Sequence, residues 1–338
     1  MRGFHRHDSI KSEGIWGEEV PKLLRAPTRE YRTATMDSHR WDNFKPRADD
    51  IVVGTYLKCG TTWTQQIVQL LIFQDPDPRP VIQIAPWLDR VLTPIEQSLA
   101  TLEAQTHRRS VKTHMPFDAV PIYEGVKYIH VGRDGLDASM SLHNHLFNFR
   151  PEVKARRAEL AKGDSRLRPV GDADTPSDPR QYFLNWIESA EKYSRDGYGV
   201  DLPFFEFENT YWREHRRPNV LFVHYNDLKA DLEAEMRRIA DFLELEVSQS
   251  VWPSLVKAAT FDDMKKNGAS LMPGADSVWD KGADRFFNEG TNERWKAILK
   301  ADDVARYHAL ATKKWSKAAA AWVTSGRRVA GDPRLSED

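Results

Sequence analysis

Short apolar runs alternating with amphipathic stretches organise this chain. Ile51-Val52-Val53 is a β-branched run ending in a Gly/Thr-rich turn. From Thr61 onward, Trp63, Ile67, Leu70 and Leu71 recur at helical spacing. Arg109–Thr113 and Lys127–Val131 read as further strands, and Asp134 then opens a segment with Leu136, Met140 and Phe147 on one helical stripe. Asn219–His224 is another strand. Asp227 is placed to cap a helix with Leu228, Leu232, Ile239 and Phe242 on one face. Strands alternating with helices predict right-handed crossovers and an α/β fold, a single domain with a mostly parallel central sheet flanked by helices. Such sheets bind ligands beyond the carboxyl ends of their strands.

The pattern covers residues 46–300. Residues 1–45 are polar and irregular and read as an N-terminal arm lying on the body. Residues 301–338 read as a C-terminal alanine-rich helix followed by a tail, from Arg327, expected to fray. Arg150 to Arg180 is dense in charge with Gly, Asp and Pro, as a mobile insertion or lid would be, and Asn267 to Asn292 reads as a second long loop. No fixed-period repeat is present, which disfavours a solenoid or propeller.

Charge narrows the function classes. The 338 residues hold 49 Lys+Arg against 50 Asp+Glu, a net charge of −1, so the footprint of a duplex nucleic-acid binder is absent. One cysteine excludes an intrachain disulfide framework and a cysteine-based zinc site. The amino terminus lacks the apolar run of a secretory signal, and no stretch approaches the roughly 20 apolar residues of a transmembrane helix. The expected location is the cytoplasm, with no membrane partner.

Candidate chemistry sits just after the strands. Gly54-Thr55-Tyr56-Leu57-Lys58-Cys59-Gly60-Thr61-Thr62-Trp63 joins the first strand to a helix. Gly-Thr-Thr alone is equally a turn with a helix cap, but Lys58 within the turn shifts the reading to a phosphate cradle of N–H groups, helix dipole and ammonium. It is not a Walker A loop: five residues separate Gly54 from Gly60, and Thr61 stands where that motif has its lysine. Val131-Gly132-Arg133-Asp134 follows another strand, with Ser141 eight residues beyond Arg133. A guanidinium fork suits a dianion, although an arginine–aspartate surface pair and a helix serine are the commoner reading of these residues alone. Lys112-Thr113-His114-Met115-Pro116 ends a third strand and puts His114 at the carboxyl edge beside Lys112, ahead of His107, His143 and His145 as a candidate base.

Taken together, these motifs resemble the cytosolic sulfotransferases. Tyr56 to Trp63 agrees with that family's Tyr-Pro-Lys-Ser-Gly-Thr-Thr-Trp at six of eight positions, with Leu57 for proline and Cys59 for serine. Lys112 to Pro116 resembles Lys-Thr-His-Leu-Pro. Val223-His224-Tyr225-Asn226-Asp227-Leu228 and Thr260-Phe261-Asp262-Asp263-Met264-Lys265 resemble two further nucleotide-side segments. Phe286-Phe287-Asn288-Glu289-Gly290, with Trp295 five residues past the glycine, matches the spacing of the family's Arg-Lys-Gly loop, but Asn288 and Glu289 replace its cations. The likeness runs from about Asp49 to Trp295 in the family's order.

The resemblance implies transfer of a sulfuryl group from 3′-phosphoadenosine 5′-phosphosulfate (PAPS) to a hydroxyl of a small-molecule acceptor, releasing PAP, with no metal. It implies His114 as base, with Lys58 and Lys112 stabilising transition-state charge. Lys58, Cys59, Gly60, Thr61, Thr62, Trp63, Arg133, Ser141, Tyr225, Thr260, Phe261 and Gly290 would bind the donor, with Arg285, Arg294 or Lys281 standing in for the missing cations. The two loop departures are expected to lower donor affinity without loss of function. Cys59, in a positive anion site, is expected to have a depressed, reactive thiol. Pro86-Trp87-Leu88, Phe117, Phe147, Phe149, Tyr182 and Phe183 suit an apolar acceptor pocket and equally suit core packing. Two alternatives remain open, a kinase-like enzyme placing Lys58 on ATP and a noncatalytic nucleotide-binding protein.

Overall fold

A computed structural model describes residues 20–33, 35–162, 175–193 and 203–338. Its strands are β1 (Leu23–Arg25), β2 (Ile51–Thr55), β3 (Ser110–Thr113), β4 (Ile122–Tyr123), β5 (Lys127–Gly132) and β6 (Val220–His224). These six strands divide into two sheets. Four strands form a parallel sheet in the order β3-β2-β5-β6, and β1 pairs antiparallel with β4. The central strands match the sequence expectation to within two residues at each end.

β-Branched runs form strands here because both of their faces are covered. Ile51 and Val53 point to one side, with Ile67, Leu71, Ile129, Val131, Met236 and Ile239. Val52 points to the other, with Tyr128, Phe205, Tyr211, Phe222 and Trp322. The Thr61–Phe73 and Leu232–Phe242 helices supply the first layer, and the Phe204–Trp212 and Lys317–Ser325 helices supply the second.

Four sequence expectations need correction. Arg150 to Arg180 is not simply a loop: Pro151–Lys162 and Pro179–Lys192 are helices, the second capped by the Asp178 carboxylate on Arg180 N at 2.9 Å, and residues 163–174 lie outside the described residues. Asn267 to Asn292 folds into the short helices Gly268–Leu271 and Gly282–Phe287 with a tight turn at Ala275–Ser277, anchored by buried Leu271, Trp279 and Phe287. His224, not Asp227, caps the Tyr225–Ala230 helix, and Asp231 caps the next. The Asp227 carboxylate instead accepts Arg327 N at 2.7 Å and Arg328 N at 3.1 Å. The tail is thereby fixed as the helix Arg327–Ala330, with Arg334 donating to Val220 O at 3.0 Å. Within the described part of the arm, Tyr31, Met36, Trp41 and Phe44 are buried in the core.

Gly54 shows how closely the sheet is packed where the site begins. A Cβ there would lie 2.9 Å from Tyr211 Cζ. Tyr211 cannot retreat: its hydroxyl donates to Met115 O at 3.0 Å, and its ring stacks on His130 at 4.0 Å and on Phe117 at 4.7 Å. Gly54→Ala is therefore expected to destabilise the protein by about 1–3 kcal/mol. Urea denaturation measures this, and an unchanged midpoint would contradict the packing argument.

Candidate active site

All four strands of the parallel sheet open at their carboxyl ends on one cavity of about 900 Å³. β2 delivers the Lys58 loop, β3 delivers Lys112 and His114, β5 delivers Arg133, and β6 delivers Tyr225. Parallel strands in register place their ends at one level, so residues distant in sequence meet there.

The loop after β2 is shaped by two left-handed residues, Lys58 at φ 66° and Gly60 at φ 111°. They turn the chain around the N-terminus of the Thr61–Phe73 helix, whose first N–H groups and positive dipole end face the cavity mouth. Glycine is required at residue 60, because any side chain there would also meet Tyr225 at 3.1 Å. Beneath the loop, Thr55 Oγ1 lies 2.6 Å from Thr61 Oγ1 and 3.3 Å from His114 Nδ1.

His114 is 6% exposed, and its Nδ1 stands 2.8 Å from the Thr55 carbonyl oxygen. A carbonyl can only accept, so Nδ1 carries the proton and Nε2 is the ring nitrogen left to the cavity. Burial, with Lys112 nearby, holds the imidazole pKa well below its ordinary value, so the ring is neutral at neutral pH. That is the protonation state of a general base. Trp87 sets its edge against this ring at 4.8 Å and 86°.

Both lysines are electrostatically unsatisfied. Burial, then the charge of Arg133, lowers Lys58 to about 8; burial, then Arg90, lowers Lys112 to about 7. Lys58 Nζ sits 4.6 Å over the Phe286 ring and Lys112 Nζ 4.5 Å over Trp87. The nearby Asp89 offsets the Lys112 shift only in part. Its carboxylate is fully buried, accepts from Thr113 Oγ1 and Trp87 Nε1, and is pushed up by burial to about 6.

Across the cavity, Arg133 is 5% exposed and lies 4.0 Å over the Tyr225 ring. It donates to Lys58 O at 3.1 Å, Thr291 O at 3.3 Å and Asn292 Oδ1 at 2.9 Å, while its buried Nε has no partner. Ser141, Thr61, Thr62, Trp63, Phe261 and Gly290 line the same space. Trp63 meets Tyr225 edge-on at 5.3 Å, and Tyr225 OH donates to Gly290 O at 3.3 Å. Around the loop that lacks its cations, Lys265 donates to Asn288 O at 2.7 Å and Lys229 to Gly290 O at 2.9 Å. Arg294 lines the cavity and pairs with Glu289 at 3.5 Å, whereas Arg285 pairs with Asp280 at 3.2 Å, away from the cavity. Lys281 does not line it.

Some expected residues lie elsewhere. Cys59 is fully buried in the core, and burial pushes its thiol up rather than down: the loop's cations were legible in the sequence, the depth of the sulfur was not. Thr260 turns its hydroxyl to Lys257 O at 2.8 Å and caps its own helix rather than lining the cavity. Of the aromatic candidates, Trp87 and Phe149 line the cavity, whereas Leu88, Phe117 and Phe183 are core, Tyr182 packs in a satellite cluster and Phe147 is exposed. His145 lines the cavity; His143 bonds Pro176 O at 2.8 Å. Sequence reasoning missed Arg90, Asn292 and Asp137. Arg90 directly follows the Pro86-Trp87-Leu88-Asp89 run, and that adjacency was its one available signal.

Comparison with known proteins agrees with this geometry. A sulfotransferase domain family model matches residues 48–319. A glycolipid sulfotransferase of Mycobacterium bovis is 32% identical over 310 residues, covering 88% of this chain and 94% of that protein. One from Mycobacterium tuberculosis is 32% identical over 312 residues with the same coverage. Among solved structures, retinol dehydratase in complex with retinol and PAP superposes with a TM-score of 0.61 at 22% identity, over 81% of this chain and 83% of that one. A mouse sulfotransferase complexed with PAP gives 0.57 at 18% identity, over 81% and 87%. At these identities the two structures establish the fold.

The Cys59 correction has a direct check. Native protein is expected to resist a thiol reagent at pH 8 and to react stoichiometrically once unfolded in guanidinium. Rapid labelling of the native protein would show the sulfur to be accessible.

Proposed function

This chain belongs to the sulfotransferase family, and from that premise we propose that it transfers a sulfuryl group from PAPS to the hydroxyl of a small acceptor with a largely apolar body, His114 acting as general base. The observation that carries the reading is the His114 tautomer: Nδ1 is held by Thr55 O, so a neutral Nε2 is left to the cavity between two lysines.

The residues present fit the donor. A left-handed loop at a helix N-terminus, a lysine lowered by burial, and a buried arginine with an unpartnered Nε all favour a multiply charged anion. Lys58 and the Gly60, Thr61 and Thr62 segment would hold the phosphosulfate end. Arg133, Ser141 and Arg294 would hold the 3′-phosphate, Arg294 taking up part of what Asn288 and Glu289 lack. Trp63, Tyr225 and Phe261 would pack against the base. When bound, PAPS supplies the sulfuryl group. His114 Nε2 removes the acceptor's hydroxyl proton, and Thr55 O keeps the imidazole oriented as it becomes charged. Lys58 and Lys112 neutralise charge gathering on the sulfuryl and bridging oxygens, with no metal called for.

His114→Ala is expected to lower kcat by about 10² to 10⁴ while PAP still binds. Undiminished turnover in that variant would remove His114 from the mechanism. Thermal-shift measurements identify the ligand: PAP at a hundredfold excess over its Kd should stabilise the protein by about 2.7 kcal/mol, and ADP or ATP much less. Equal stabilisation by ATP with magnesium-dependent turnover would favour the kinase-like alternative, and PAP binding without transfer to any phenol or alcohol would favour the noncatalytic one.

The pH dependence follows from the two lysines. Their depressed values mean that both are charged below about pH 7 and lose protons as pH rises through about 7 and 8. His114 is already neutral there, so no gain in base offsets the loss. Free-enzyme kcat/KM for PAPS is expected to fall across that window. Bound anion favours the charged ammoniums, so kcat should fall only at higher pH. Coincident profiles would show that these ammoniums do not face the donor.

A further inference from the structure

One wall of the cavity carries positive charge that transfer of a sulfuryl group does not use. Arg90 and Arg156 line it beside Lys112, and Glu152 is the single carboxylate on that side among the described residues. Arg90 is half-buried, its buried Nε has no hydrogen-bond partner, and no described carboxylate forms an ion pair with it. Arg156 adds a second, like charge nearby rather than a counter-charge. Asp89, the adjacent residue in the chain, is spent on Thr113 and Trp87. Arg90 comes from the segment before Ile95–Glu103, outside the elements that supply the donor-side loop, Arg133 and Ser141.

Trp87 gives the arrangement a scale. Arg90 Cζ lies 5.7 Å from the centre of its ring, Lys112 Nζ 4.5 Å, and the His114 ring 4.8 Å. Base, ammonium and guanidinium thus all approach one indole. Two groups at those distances from one ring are separated by no more than the length of a small aromatic acid, so an acceptor of that size with its hydroxyl at His114 can reach Arg90. Leu146, Phe149, Val278 and Trp279 add apolar lining to the cavity, and Gln83, Thr93, Gln97 and Ser98 line it from the chain around Arg90.

We propose that the acceptor carries its own anionic group, a carboxylate or phosphate about one aromatic ring from the hydroxyl that is sulfated, and that Arg90 is the residue selecting it. This rests on the reading of His114 as the place where the acceptor hydroxyl sits. A guanidinium fork meets either anion through two N–H donors, and the half-buried setting strengthens the pairing. Arg156 and Lys112 add field, and the apolar walls take the body of the molecule.

The test compares 4-hydroxybenzoate with its methyl ester, which differ in charge at the far end of one ring. Binding to the full chain saturated with PAP is measured by calorimetry, for wild type, Arg90→Gln and Arg90→Lys. Wild type is expected to bind the acid about tenfold more tightly than the ester. Arg90→Gln should erase that preference with PAP affinity unchanged, and Arg90→Lys should keep part of it. Equal binding of acid and ester by wild type overturns the proposal. So does a matching loss of PAP affinity in Arg90→Gln, which would place Arg90 on the donor. Should Arg90→Gln fail to fold, the wild-type comparison decides alone. Because binding is read rather than transfer, retained acid preference in a protein that moves no sulfate would count against the proposed reaction and not against the anion site.

Discussion

Positive charge gathered where water is scarce is the constraint on which this structure turns. Lys58, Lys112, Arg133 and Arg90 converge on one cavity, and Asp89, next to Arg90 in the chain, is buried and engaged by Thr113 and Trp87. Such a cluster opposes its own folding, as the lowered lysines record. The sheet supports it: β2 and β5 are buried on both faces, and the residues that aim the charges are fixed by the backbone through the left-handed loop, the Thr55 carbonyl and the strand ends. Charges held in this way need no reorganisation when an anion arrives, which is what makes them useful in catalysis.

Much of this was legible in the residues. The strands could be placed because β-branched runs covered on both faces announce themselves, as Ile51 to Val53 does. The site could be placed because parallel strands expose their carboxyl ends together, so Lys58, His114 and Arg133 stood out once the strands were known, whereas Tyr225 came from the family resemblance. What the sequence did not reveal depends on depth or on distant partners. The neighbours of Cys59 suggested a reactive thiolate, but the sign of its shift is set by burial among side chains far along the chain. Asp227 looked like a local cap and serves a tail a hundred residues away, at Arg327 and Arg328. Helices of four to six residues, Gly268–Leu271 and Gly282–Phe287, are too short to show a period and are held by tertiary burial of Leu271 and Phe287.

The loop at Asn288 and Glu289 shows charge relocated rather than lost. Where the resembling family has cations in the loop itself, this chain has Lys265 and Lys229 gripping the loop's carbonyls from Asn288 and Gly290, and Arg294 reaching in past Glu289. The two lysines shape the loop and add field, while Arg133 and Arg294 are the guanidiniums that line the cavity beside it. Asn292 has a matching role: it accepts from Arg133 and donates to Asn226 Oδ1 at 2.8 Å, tying the loop to the end of β6. The two halves of the cavity therefore solve the same problem differently. On the donor side, Arg133 rests on Tyr225 and is also tied by the carbonyls of Lys58 and Thr291 and the Asn292 side-chain oxygen; on the Trp87 side, Arg90 and Lys112 rest against one aromatic ring. An aromatic face orients a cation without neutralising it, so Arg90 and Lys112 keep their charge for the second anion proposed above.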